Sequence, residues 1–183
     1  IHEQPVAIRE TLRGRLLPNG TLTLDEVRLT DEKLRNVNKV FITGCGTSYY
    51  AGLVGAHAIE HWARIAVETE IASEFRYRDP VLDSNTLVIA VAQSGETLDT
   101  MEAVRHAKHQ GARILAVVNV VDSSIAREAD AVLYTHAEAE TRMLAELRAL
   151  GPIANRVYKA SKYDVDVSTL PDGQGYAEIT DKV

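Results

Sequence analysis

The sequence predicts an α/β fold, a three-layer α-β-α sandwich around a five-stranded parallel sheet. Apolar, strand-like runs alternate with helix-like stretches along residues 37–137, as in sheets whose parallel strands are joined by helices. The run Thr86–Ala92 is almost wholly apolar, which is typical of a strand covered by helices on both faces. The 183 residues, 45% hydrophobic and 25% charged, are enough for one domain with a full core.

The first 36 residues predict a helix and a lead-in to the core. Apolar residues recur at helical spacing over residues 6–17, and Pro18-Asn19-Gly20 then predicts a turn. The charged residues that follow predict a short helix over residues 31–36.

The core predicted over residues 37–137 alternates strands with helices. Five segments predict strands: residues 39–43, 66–71, 86–92, 113–119 and 131–135. Three segments predict helices: residues 49–64, 97–110 and 123–128. Residues 73–78 predict a short irregular piece that leads to the loop Asp79-Pro80. With the strand order 2-1-3-4-5, the crevice in which such sheets bind ligands lies between strands one and three.

Two segments follow the core. Residues 138–150 predict a packed helix, because apolar residues recur there at helical spacing: Met143, Leu144, Leu147 and Leu150. Residues 151–183 are a tail that we cannot place, in which two strand-like runs around Pro171-Asp172-Gly173 predict a hairpin.

Composition excludes several classes of partner. The formal net charge of -6 argues against nucleic acid, whose binding needs a face dense in Lys and Arg. No apolar run approaches membrane-spanning length, and the first residues lack the pattern of a secretory signal. The single cysteine, Cys45, excludes an internal disulfide and fits a reducing compartment. We therefore expect a cytoplasmic protein that binds neither nucleic acid nor membrane.

Two short polar loops each follow an apolar run and precede a helix-like stretch. We call residues 44–48 the first loop and residues 93–97 the second loop. Glycines and small hydroxyl residues at such a turn expose backbone N–H groups at a helix N-terminus, which is the chemistry of a phosphate site. Gln93, Ser94 and Thr97 add side-chain donors, and Gly95 permits close approach. We expect both loops to line one pocket for a phosphate monoester, held by neutral donors.

Other interpretations of these loops stay open. The first loop also fits a bare structural turn, or a dinucleotide fingerprint with Glu68 and Glu70 downstream, although Tyr49 stands where the third glycine belongs. The sequence lacks G-x-x-x-x-G-K-[ST], which argues against nucleotide hydrolysis. In the second loop, Thr97 also suits a helix cap, and Glu96 suits the helix dipole without a catalytic role.

Two further features have a chemical and a structural interpretation. His57-Ala58-Ile59-Glu60-His61 matches the H-x-x-E-H zinc motif, but the sequence offers no convincing third ligand, so we expect neither metal nor cofactor. Cys45, at the start of a helix, has the setting of an activated nucleophile. A small residue lining the pocket is the simpler interpretation, since no histidine adjoins it in sequence.

Three segments resemble a known family: F-I-T-G-C-G-T-S, E-I-A-S-E-F-R-Y-R and A-Q-S-G-E-T. They resemble the first sugar isomerase (SIS) domain of the glutamine–fructose-6-phosphate aminotransferases, also called glucosamine-6-phosphate synthases, over about residues 1–135. The resemblance implies a flavodoxin-like sheet, a homodimer and a site for fructose 6-phosphate or glucosamine 6-phosphate. It implies that the phosphate is held by Ser48, Gln93, Ser94 and Thr97. It implies that the sugar is lined by Cys45, Gly46 and Thr47.

The sequence departs from the family pattern in three places. Ala92 stands where the family often has a serine that touches phosphate. After Thr135 the family's Gly-rich segment, which completes its sugar pocket, is not found. The glutaminase half, the second SIS domain and the catalytic tail are not found either, and we assign no catalytic residue. We therefore expect a phosphosugar-binding domain from the isomerase half that binds without appreciable turnover. The alternatives are a non-catalytic SIS module for phosphosugar sensing or dimerisation, and a stand-alone phosphosugar isomerase.

Overall fold

A five-stranded parallel sheet forms the centre of the protein, as predicted. The computed structural model describes His2, residues 4–20, Thr23, Val27 and residues 29–135. The strands are β1 (Lys39–Gly44), β2 (Ala66–Ile71), β3 (Thr86–Ala92), β4 (Arg113–Val118) and β5 (Ala131–Tyr134). Their order is β2-β1-β3-β4-β5, and every neighbouring pair is parallel, which confirms the predicted fold. The helix predicted over residues 138–150 and the hairpin predicted over residues 151–183 lie outside the described residues.

Helices cover both faces of the sheet. They are α1 (Gln4–Leu12), α2 (Asp31–Arg35), α3 (Thr47–Ala63), α4 (Ala72–Arg78), α5 (Leu98–His109) and α6 (Ser124–Glu128). On one face, Ile59 of α3 belongs to the same apolar cluster as Ile42 of β1. On the other face, Phe75 of α4 and Ala103 of α5 pack with Phe41 of β1. Alternate residues of β1 therefore pack into two separate apolar cores, one on each face of the sheet. The sheet and the helices on its two faces form three layers.

The piece predicted as irregular before Asp79 is a helix, α4, so that prediction was wrong. Phe75, which is fully buried, decides the outcome: its ring meets the ring of Phe41 edge-on, with 5.5 Å between centroids. Ile71 at the N-cap makes no side-chain cap bond, so the usual sequence signal for a helix start is missing. The helix ends at Asp79, which adopts a left-handed conformation with φ 53°.

The first helix is shorter than predicted. It ends at Leu12 instead of continuing to Leu17, because Gly14 turns the chain with φ +74°. The buried Arg15 guanidinium then donates hydrogen bonds to the carbonyl oxygens of Thr11 (2.7 Å) and Tyr134 (2.8 Å). The bond to Tyr134 connects the residues after α1 to the end of β5, so these residues do not continue the helix.

Within the part of the chain that the structure describes, every helix is too short or too polar to cross a membrane.

Candidate functional site

The two polar loops lie side by side at the carboxyl edge of the sheet. The first loop continues from β1 and the second from β3, and these strands are neighbours with Gly44 opposite Val91. The chain leaves β1 through α3 toward β2 on one side, and leaves β3 through α5 toward β4 on the other. The connections therefore part between β1 and β3, which is the position of the ligand crevice in open parallel sheets.

The first loop turns sharply into α3. Gly46 adopts φ 58° and ψ -129°, a backbone conformation that residues with a Cβ rarely adopt. Cys45 is half-buried, Gly46 and Thr47 are exposed, and Ser48 is buried against the sheet. The Ser48 N–H donates to the Cys45 carbonyl oxygen at 3.2 Å. Because the N-cap residue is glycine, no side chain caps α3.

The second loop is a compact turn into α5. The Ser94 hydroxyl oxygen accepts a hydrogen bond of 3.2 Å from the Glu96 N–H, which fixes the oxygen and leaves the hydroxyl proton available for donation. Gln93, Ser94 and Thr97 are half-buried, and Gly95 is buried. Thr97 is the N-cap residue of α5, as the helix-cap interpretation expects, but its side chain makes no cap bond there and does not do the capping.

The electrostatics of the crevice come from helix termini. Helices α3 and α5, of 17 and 12 residues, both begin at the crevice, and each N-terminus carries the equivalent of roughly +0.5 elementary charge. Neither loop contains Lys or Arg. The one acidic side chain, Glu96, accepts a hydrogen bond of 2.8 Å from the Ser124 N–H, and this bond holds the pKa of Glu96 below its usual value. The carboxylate thus faces α6.

The Cys45 thiol contacts a hydroxyl group. Thr100, fully buried in the first turns of α5, donates to Cys45 Sγ at 3.9 Å, and Cys45 packs against the core on the α4 and α5 face. This contact fits the interpretation of Cys45 as a residue that lines the pocket, because a hydroxyl group does not act as the base that a nucleophilic thiol needs.

Sequence reasoning missed the support of the second loop. The connection from β4 to α6, residues 119–123, holds the loop from behind through the N–H groups of Asn119 and Val120, which donate to the Gln93 carbonyl oxygen at 3.1 and 3.3 Å. The Ile125 N–H donates to the Gly95 carbonyl oxygen at 2.9 Å. These donors stand 26, 27 and 30 positions after the residues that accept from them, and neither hydrophobic period nor motif links segments at that distance.

The zinc motif has no metal-site geometry. His57 and His61 are both exposed on α3, and Glu60 accepts a hydrogen bond of 3.2 Å from the Val67 N–H. Among the described residues, no group of three or more His, Cys, Asp or Glu side chains could hold a metal ion.

The acidic residues required by a dinucleotide site are engaged elsewhere. Glu68 pairs with Lys39 at 2.6 Å and with Arg78 at 3.0 Å, and Glu70 pairs with Arg78 at 2.7 Å. The hydrogen bond from Lys39 lowers the pKa of Glu68, which keeps its carboxylate charged and paired. Neither carboxylate is free to accept from a ribose, so this geometry disfavours the dinucleotide interpretation.

Known proteins match this chain in sequence and in fold. A family model described as the SIS domain matches residues 33–155. The glutamine–fructose-6-phosphate aminotransferase (isomerizing) of Streptomyces coelicolor is 59% identical over 140 residues, which cover 76% of this chain and 23% of that protein. The protein of that name from Mycolicibacterium smegmatis is 58% identical over 154 residues, covering 84% and 24%. The chain thus spans about a quarter of the length of the curated relatives that it matches.

Solved structures share the fold. The C-terminal domain of glucosamine-fructose-6-phosphate aminotransferase from Francisella tularensis superposes with a TM-score of 0.80 at 31% identity, covering 98% of this chain and 51% of that one. The sugar isomerase domain of an RpiR transcription factor from Sphaerobacter thermophilus superposes with a TM-score of 0.62 at 22% identity, covering 87% and 92%. The second likeness is one of fold alone.

Proposed function

The chain belongs to the SIS domain family, and from this premise we propose that its crevice binds a phosphosugar. The chain is homologous to the isomerase half of glutamine–fructose-6-phosphate aminotransferase. Fructose 6-phosphate and glucosamine 6-phosphate are the ligands that this relationship favours.

One observation carries the proposal: two helices without side-chain caps begin at the same crevice. A side chain at the N-cap can satisfy one of the first N–H groups of a helix, as Thr30 does for α2 by accepting from the Lys33 N–H at 3.3 Å. Neither Gly46 before α3 nor Thr97 before α5 does so. The two N-termini therefore keep donors and positive dipole ends for an anion.

The neutral side chains of the two loops complete the proposed phosphate site. We assign the phosphate to Ser48, Gln93, Ser94 and Thr97, with Gly95 allowing the backbone to approach. We assign the sugar to Cys45, Gly46 and Thr47, of which Gly46 and Thr47 are exposed. Hydroxyl, amide and backbone N–H groups all donate to phosphate oxygens, and such bonds to a charged acceptor are stronger than bonds between neutral groups. The buried Ala92, at the end of β3, offers no hydroxyl to this set.

We propose binding without turnover by this chain alone. Isomerisation between a ketose and an aldose requires a base that moves a proton between two carbons. The titratable side chains of the two loops are Cys45 and Glu96, and their contacts are with Thr100 and Ser124. Neither is arranged as such a base, so the base of a complete enzyme would come from another segment or subunit.

A phosphosugar sensor is the second candidate function. The missing hydroxyl at Ala92 favours it. A sensor needs only to bind the ligand at its physiological concentration, whereas an enzyme must also hold the reacting atoms in a fixed geometry. A stand-alone isomerase differs from both in consuming fructose 6-phosphate. An assay of that consumption against protein concentration separates it from the other two.

Calorimetry tests the binding proposal. Glucosamine 6-phosphate should bind the full chain, whereas glucosamine, which lacks the phosphate, should give no heat at the same concentration. Ser94→Ala should weaken binding about tenfold or more, since it removes one hydrogen bond to a charged group. Ser84→Ala, an exposed serine before β3 at the opposite edge of the sheet, is the matched control. Absence of heat with glucosamine 6-phosphate at millimolar concentration would sink the proposal.

We also propose a homodimer in the cytoplasm. Large apolar side chains are exposed at the crevice edge of the sheet, among them Tyr50 on α3 (59% exposed) and Leu98 on α5 (64%), and a second copy would cover such residues. The single cysteine fits a reducing compartment. Light scattering on the purified chain tests the dimer.

A further inference from the structure

Ser123 carries a buried hydroxyl group directly behind the second loop. The residue is 2% exposed, and no hydrogen-bond partner for its Oγ lies among the residues that the structure describes. Buried hydroxyl groups are ordinarily bonded, because leaving one unpaired costs free energy. This hydroxyl therefore requires an explanation.

Capping of its own helix does not explain the Ser123 hydroxyl. Ser123 is the N-cap residue of α6, where serine usually accepts a hydrogen bond from the next turn, but its side chain makes no such bond. Glu96 of the second loop accepts from the Ser124 N–H instead. Glu96 thus caps α6, and the Ser123 hydroxyl can form a hydrogen bond with another group.

The Ser123 hydroxyl lies beside Gly95 of the second loop. A Cβ added at Gly95 would stand 2.0 Å from Ser123 Oγ and 3.6 Å from Val118 Cγ1. Val118 is the register partner of Ala92, and both belong to the cluster on the α5 and α6 face. The Ser123 hydroxyl therefore lies at the end of the sheet and on the face where Ala92 lacks a donor.

We propose that Ser123 is a positioning residue of the phosphosugar site, acting on the ligand through the backbone of Gly95. This inference rests on the proposed function. The Gly95 carbonyl oxygen takes the Ile125 N–H on one lone pair and has a second lone pair to accept the Ser123 hydroxyl. That bond forms when the loop engages a phosphate group, and it fixes the orientation of the loop N–H donors. It compensates in part for the hydroxyl that position 92 does not supply.

The test compares stability and affinity in Ser123→Ala. Without ligand, the unfolding temperature should stay the same or rise, since the variant removes a buried hydroxyl that has no partner. The Kd for glucosamine 6-phosphate should rise about tenfold, which corresponds to one hydrogen bond. A merely structural serine would lower the unfolding temperature and weaken binding together, or leave the affinity unchanged within twofold, and either result overturns the inference.

Two matched controls and a second variant complete the design. Ser84→Ala makes the same chemical change at an exposed position at the opposite edge of the sheet. Thr69→Val, on β2, removes another buried hydroxyl for which the described residues offer no partner. Both should leave the Kd unchanged. If Ser123→Ala does not fold, Ser123→Cys keeps a side chain of similar size with a weak donor and decides the question through the same Kd change. Lack of binding by the unaltered chain overturns the proposed function, whereas wild-type affinity in the Ser123 variants overturns this inference alone.

Discussion

The Glu96 carboxylate accepts a hydrogen bond of 2.8 Å from the backbone N–H of Ser124, so a residue of the second loop caps the neighbouring helix. The loop and α6 are thereby one unit. Any change that weakens this bond should loosen the loop as well as the helix.

Glu96→Gln should reduce stability in a pH-dependent manner. The pKa of Glu96 is lowered from 4.5 in the folded protein by the Ser124 N–H, so the charged carboxylate stabilises the fold above its unfolded pKa. That advantage is lost as the pH falls through the lower, folded pKa. Urea unfolding of both proteins from pH 7 to pH 3 measures the difference, which should be present at pH 7 and vanish at the acid end. A difference that stays constant over this range contradicts the prediction.

Ala92→Ser should tighten phosphosugar binding. The substitution places a hydroxyl at the end of β3 beside the second loop, and a hydrogen bond to a charged group contributes about 1.5–3 kcal/mol. We expect the Kd for glucosamine 6-phosphate to fall about tenfold or more in calorimetry.

Ala90→Ser is the matched control for Ala92→Ser. Ala90 is fully buried in the same cluster, two residues before Ala92 on β3. Its new hydroxyl should lower the free energy of unfolding by about 1–3 kcal/mol and leave the Kd unchanged. An unchanged Kd in Ala92→Ser would show that position 92 does not reach the ligand.

Gly95→Ala should disrupt the second loop. The new Cβ would stand 2.0 Å from Ser123 Oγ, at a position with φ +65° that disfavours alanine. Gly111→Ala is the control, since Gly111 has φ +88° and no atom within 4 Å of the added Cβ. We expect about 1 kcal/mol of destabilisation in the control and about 1–3 kcal/mol more in Gly95→Ala. Calorimetry should detect phosphosugar binding only in the control, and equal effects of the two substitutions would be evidence against the contact.

Phe75→Ala should test the helix that the sequence did not predict. Phe75 is fully buried against Phe41, and truncation of such a ring lowers the free energy of unfolding by about 3–5 kcal/mol. Tyr77→Ala, on the same helix but 75% exposed, should change it by no more than about 0.5 kcal/mol. Chemical denaturation compares the two variants. Similar losses would mean that residues 72–78 do not pack as described.

The strands could be predicted from the sequence because four are mainly apolar runs, while β2 alternates Val67 and Thr69 with Glu68 and Glu70. All five were predicted to within one residue, and the order β2-β1-β3-β4-β5, on which the predicted place of the crevice depended, is the one observed. The position of the two loops was predicted with them. The roles of the residues in those loops stay predictions.

The features that escaped prediction depend on contacts between distant segments. Helix α4 lacks a capping side chain at its start, and only the burial of Phe75 defines it. Glu96 and Ser124 are 28 residues apart, and Ser123 meets Gly95 only because β3 and β4 are neighbours. No local period or propensity encodes such pairs, so the structure is needed to find them.

The neutral lining of the crevice has a kinetic consequence. Helix dipoles act over about one turn, whereas the net charge of -6 repels an anion from a distance at low salt. A phosphosugar would therefore approach this crevice without electrostatic attraction and against a weak repulsion. Its association rate should rise when added salt screens that repulsion. Sites lined with Lys and Arg respond to salt in the opposite sense.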